Sequence, residues 1–173
     1  METLKTNKFY FLTVLVLGAA LTRLLPHYPN FTAIGGLALF SGAYFDKKIY
    51  AFLVPLTALL LTDMIIGFHS TVAAVYISFA VIALLGSSLK GKVKVQSVLL
   101  TTVTASVLFF VVTNTAAWYS MGLYPKTLSG LAMCFTAAVP FFHTTLLGDL
   151  FFSSVLFGAY ELAKFKMPVL VKA

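Results

Sequence analysis

The sequence predicts an all-α bundle embedded in a membrane, and three observations carry that prediction. Hydrophobic residues make up 60% of the 173 and charged residues only 10%, against about a quarter charged in soluble domains, and mean hydropathy is +0.98. The apolar runs reach or approach the roughly 20 residues that cross about 30 Å of hydrocarbon as helix. No ten-residue alternation of the kind that builds a membrane barrel is present. One polytopic domain over residues 1–173 fits this length.

Six spans are expected. The first, residues 9–25, follows Lys5 and Lys8 and resembles a signal peptide closely enough to be mistaken for one, with Gly18-Ala19-Ala20 as its small-residue end. The second, 31–45, is short and glycine-rich and ends at Asp46-Lys47-Lys48. The third, 49–67, and the fourth, 70–86, are separated by Phe68 and His69. The fifth, 96–119, follows the basic loop Lys90-Gly91-Lys92-Val93-Lys94 and closes on the interfacial aromatics Trp118 and Tyr119. The apolar stretch from Thr127 to Lys164 is too long for one crossing and divides at Pro140, a residue favoured at the first position of a helix. The division yields a short helix over 127–138, lying on or dipping into the membrane, and a sixth span over 141–163.

Positive residues near span ends are retained on the cytoplasmic side. With a cytoplasmic N-terminus, ten of the twelve Lys and Arg collect inside, from Lys5 to Lys172, and an even span count returns the C-terminus to the same side. Only Arg23 and Lys126 stay outside. The same count explains the basic balance, so the sequence gives no reason to expect nucleic-acid binding.

Ionisable groups at membrane depth are costly, and each invites a functional reading. The half of the membrane nearest the loop Arg23-Leu24-Leu25-Pro26-His27-Tyr28-Pro29-Asn30-Phe31-Thr32 collects most of the polar side chains. Besides Arg23, His27 and Asn30, these are Asp63, His69, Asn114, Trp118, Tyr119, Tyr124, Lys126, His143 and Asp149. Thr145, Asp149 and Ser153 recur every fourth residue as one polar stripe. The asymmetry describes an outward-facing pocket rather than a continuous pore. Plainer readings stay open beside it. Arg23 and Asp63 would serve equally as a structural ion pair, Asp149 as a partner of Asn114 or a nearby hydroxyl, His69 as a solvated loop residue, and the aromatics as interfacial anchors. The small residues Gly35, Ala38 and Gly42, and Ala159 with Ala163, permit close helix contacts, internal or with a partner.

The three histidines with Asp63 or Asp149 are ligand types for a divalent metal but show no fixed local spacing, so neither a metal nor a cofactor is expected. Cys134 is the single cysteine, which excludes an intrachain disulfide. There is no Gly-x-Ser-x-Gly elbow, no His-Glu-x-x-His helix and no Walker A loop, which argues against an enzyme. A membrane-embedded enzyme or a structural membrane protein remains the alternative class.

Further motifs accompany the Arg23–Thr32 loop: Gly42-Ala43-Tyr44-Phe45, Asp63 before Gly67-Phe68-His69, Thr113-Asn114, Tyr124-Pro125-Lys126-Thr127 and Gly148-Asp149. Over nearly the whole chain this set resembles a bacterial family of transport proteins related to the substrate-binding S-components of energy-coupling factor (ECF) transporters. The resemblance implies a six-helix protein of the bacterial inner membrane that captures a vitamin-like micronutrient from outside. It would then topple on docking to a separate ECF transmembrane subunit powered by two ATPases. One departure concerns docking, since S-components often carry Ala-x-x-x-Ala in helix one and this span offers Gly18 and Thr22 at that spacing. Cobalamin or another corrinoid is the first substrate expected, with His27 as a possible cobalt ligand. A smaller anionic nutrient would suit Arg23 and Lys126 equally well.

Overall fold

A computed structural model describes residues 2–167, with side chains described from Asn7 onward. Lys172 lies outside the described residues. The elements are α1 (Glu2–Leu21), a 3-10 turn (Thr22–Leu24), α2 (Ile34–Tyr44), α3 (Lys48–Ile66), α4 (Val72–Ser87), α5 (Val95–Ser120) and α6 (Leu128–Lys166), with no strand among the described residues.

Four helical segments are long and apolar enough to cross a membrane: 7–24, 48–66, 95–120 and 128–166. Their outward faces are hydrocarbon: Ile65 and Leu100 are each 70% exposed and Leu147 61%. Apolar surface on this scale needs lipid or protein against it. The six expected spans become six helices, but α2 has 11 residues and α4 has 16. At 1.5 Å per residue α2 is only about 16 Å long. The reason lies at its entry, where Phe31 to Ala33 are not helical.

The shortest helix is also the most enclosed. Residues 35–43 of α2 are all buried, and α2 packs against every other helix of the bundle. Glycine makes its closest contacts possible. A Cβ on Gly42 would strike the main chain of α4 at Ala83 and Ser87, and one on Gly86 would strike the main chain of α2 at Leu39. The small-residue stripe Gly35, Ala38 and Gly42 is therefore an internal seam.

The division expected at Pro140 is absent, because α6 runs unbroken through it. Proline is tolerated inside membrane helices, where neighbours re-satisfy the freed carbonyl. Its effect is a change of course. Ser106 of α5 meets Asp149 of α6, and the Asn114 carbonyl meets Cys134. Eight residues of α5 are thus matched by fifteen of α6, or about 12 Å by about 22 Å. Helix α6 must bow away from α5 between these contacts, with Pro140 inside the bow, as expected of a proline kink.

Candidate binding site

The bow leaves a cavity of about 430 Å³ between α5, α6 and the loop that joins α1 to α2. Its floor is Gly35 and Asp149, one wall is Phe109, Phe110, Phe141 and Phe142, and its mouth carries Arg23, His27, Asn30 and His69.

The loop is shaped by its own sequence. Tyr28-Pro29-Asn30-Phe31 forms a turn closed by the Phe31 amide donating to the Tyr28 carbonyl at 3.0 Å, with Asn30 at φ 64°. Proline at the second position and a left-handed Asn at the third define a type II turn. Thr32 and Phe31 then lie directly on Gly148, where a Cβ would touch both backbones. Phe31 stacks near Phe151 and Phe152 at 5.8 and 5.9 Å.

Asp149 completes the floor. Its carboxyl accepts from the Gly35 amide at 3.1 Å and from Ser106 Oγ at 2.7 Å. Gly35 is the second residue of α2, so α6 supplies the N-terminal cap that Ala33 cannot. One turn deeper, Thr102 Oγ1 donates to Ser153 Oγ at 3.1 Å. The Thr145, Asp149, Ser153 stripe is thus the α6 side of a polar seam, and the reading of Asp149 as partner of a nearby hydroxyl is the one observed.

Arg23 is held from behind. Nη2 donates to Asp63 Oδ1 at 2.7 Å, Nη1 donates to Thr62 Oγ1, and Tyr76 donates to the other Asp63 oxygen at 3.1 Å. Asp63 is 1% exposed and does not line the cavity. The ion pair joins the end of α1 to α3, and the remaining donors of the five-donor guanidinium stay beside the cavity. The His27 Nδ1 faces the Tyr28 carbonyl at 2.9 Å. A carbonyl only accepts, so Nδ1 carries the proton and Nε2 holds the lone pair of the neutral ring. His69 pairs through Nδ1 with Thr71 Oγ1 at 3.1 Å. Asn114 donates to the Phe110 carbonyl at 2.8 Å, which leaves its amide oxygen as an acceptor.

Of the residues singled out from sequence, Arg23, His27, Asn30, His69, Asn114 and Asp149 line this one cavity. Trp118, Tyr124, Lys126 and His143 do not. Lys126 Nζ instead donates to the carbonyls of Trp118 and Tyr119 at the end of α5, and lies 5.3 and 5.4 Å from their ring centres. Trp118 Nε1 donates to the Pro125 carbonyl at 2.8 Å. This self-contained corner explains why a lysine sits at the less basic end. Lys126→Gln should cost about 1 kcal/mol of stability through lost capping and cation–π contact and leave ligand affinity unchanged, as thermal unfolding and binding titration would show. The aromatic wall and Thr62, Tyr76 and Ser106 do not stand out in the sequence. Phe109 and Phe110, one turn before Asn114, carry the only local signal for the wall.

No three His, Cys, Asp or Glu side chains gather to hold a metal among the described residues. Fold and cavity define a membrane-type helical bundle with a cavity between α5, α6 and the loop joining α1 to α2. The chain belongs to DUF6580, a family of unknown function whose profile matches residues 3–170. No curated protein and no solved structure matches it.

Proposed function

We propose that the protein is a membrane substrate-capture component for uptake of a vitamin-like nutrient, of the S-component kind. In this reading all six helices traverse the bilayer of a bacterial inner membrane, with α2 and α4 as short crossings sheathed by their neighbours. The mouth cavity faces outward and both termini are cytoplasmic. Support for the orientation comes from Lys47, Lys48, Lys90, Lys92, Lys94, Lys164 and Lys166, all at the end away from the mouth.

The observation that carries the reading is a dead-end cavity with converging polar groups. Below the Asp149 floor the path is filled by Phe40, Tyr44, Phe157 and Tyr160, whose rings pack at 4.0 to 6.0 Å. Such a site binds rather than conducts. A volume of about 430 Å³ lies near the lower end of the roughly 300–1,000 Å³ usual for small-molecule sites. That favours a compact nutrient over the corrinoid first expected, which would overfill it. The free donors of Arg23 suit a carboxylate or phosphate, and the phenylalanine wall suits a ring.

Mass spectrometry of small molecules retained by the purified protein tests this directly. A candidate so identified should bind saturably, and Asn114→Ala should weaken it by about tenfold. Absence of any saturable ligand, or full affinity in Asn114→Ala, would count against the site. The ECF transmembrane subunit and its two ATPases are tested by co-purification from cells expressing all components.

A further inference from the structure

A second cavity of about 510 Å³ opens at the basic end of the bundle, opposite the mouth. Lys8 of α1, Asp46 after α2, Lys90 after α4, and Glu161 and Lys164 of α6 bring charge to it. Two of the ammonium groups have a carboxylate partner: Lys8 with Asp46 at 2.7 Å and Lys164 with Glu161 at 3.3 Å. Lys90 does not. Its Nζ donates to the Phe45 carbonyl at 2.7 Å and, at 3.5 Å, to the Asp46 carbonyl, both neutral main-chain groups. Among the described residues the lining therefore carries one positive charge in excess.

A second deficit lies deeper in the same cavity. Tyr44 donates its hydroxyl proton to Glu161 at 2.7 Å. Tyr160 lines the cavity, and although the residue is only 4% exposed its hydroxyl is not a buried atom: it meets no protein partner among the described residues and is left as a donor open to the cavity. What is missing is a single negative charge bearing acceptor oxygens within reach of an ammonium and a phenol. A cation would have to displace lysine from both carboxylates, and an apolar molecule would leave Lys90 and Tyr160 as they are.

We propose that this cavity binds a phosphodiester monoanion, carried either by an anionic phospholipid headgroup or by a soluble phosphodiester. Its oxygens accept from Lys90 and Tyr160 and from the spare donors of Lys8 and Lys164, as charge-assisted bonds. Leu162 and Phe165, 56% and 84% exposed, follow the lining residues Glu161 and Lys164 along α6 and offer apolar surface to an acyl chain.

Native mass spectrometry of the full chain in detergent tests this with phosphatidylglycerol, phosphatidylcholine and soluble glycerophosphoglycerol as probes. The expected result is one phosphatidylglycerol held in preference to phosphatidylcholine, with affinity about tenfold lower in Lys90→Gln and in Tyr160→Phe. Lys90→Arg should restore it, and thermal unfolding of each variant checks that the fold is kept. If glycerophosphoglycerol displaces the lipid at similar concentration, the headgroup alone is the ligand; if it does not, the lipid is. Binding of phosphatidylglycerol that neither variant weakens, or that phosphatidylcholine equals, overturns the proposal. Asn114→Ala should leave this binding intact, which separates failure here from failure of the mouth cavity to bind a nutrient.

Discussion

Asp63→Leu is expected to lower the unfolding midpoint of the detergent-solubilised protein by on the order of 10 °C, corresponding to about 3–5 kcal/mol. The substitution removes the only carboxylate paired with Arg23 among the described residues, and the Arg23 side chain is 10% exposed. It also deprives Tyr76 of its acceptor. The penalty comes from the cation left behind rather than from the worth of the pair, since a buried ion pair and a well-packed apolar replacement are often equal in stability. The double variant Arg23→Met with Asp63→Leu should therefore recover most of the loss. Stability unaltered in Asp63→Leu, or no recovery in the double variant, would show that the pair does not bind α1 to α3 as described. The double variant also separates two roles of Arg23: a folded protein that no longer holds its ligand makes the guanidinium a ligand group, whereas full binding leaves it a structural tie.

The same residues show what is legible in the sequence. Arg23 and Asp63 stand out because ionisable groups at membrane depth are rare, but their pairing with Thr62 and Tyr76 depends on how α4 approaches α3. No local spacing encodes that approach. Asn30 is legible twice over, as a polar group and as the left-handed residue of a Pro-Asn turn. Pro140 misleads because proline at the start of a helix and proline inside a membrane helix look alike in sequence. Only the contacts of α6 with α5 reveal the bow, and the bow makes the cavity. Lys126 suggests a ligand group because it stands apart from the other lysines. Its actual partners are the last carbonyls of α5, a bond set by the length of the α5–α6 connection. The glycine stripe in the second span is visible, but whether it faces inward is not.

That stripe gives the second large effect. Gly86→Ala and Gly42→Ala are each expected to destabilise by roughly 3 kcal/mol, the upper part of the usual range for overpacking. At both positions the added Cβ meets main chain rather than the end of a flexible side chain, so no rotamer change can relieve it. The helices must separate along the whole seam, and α2, buried from 35 to 43, has contacts to lose on every side. Gly18 is the matched control. It lies inside α1 with nothing within 4 Å of the point a Cβ would occupy, so Gly18→Ala should be neutral or stabilise by about 0.5–1 kcal/mol through helix propensity alone. Thermal unfolding of the three variants side by side decides the matter: Gly86→Ala as stable as Gly18→Ala would mean that the α2–α4 seam is looser than described. Because Gly35 and the Asp149 cap lie at the mouth end of α2, a displaced α2 also reshapes the cavity floor. Ligand affinity should then fall in Gly42→Ala even at temperatures where the protein is still folded, and stay unchanged in Gly18→Ala.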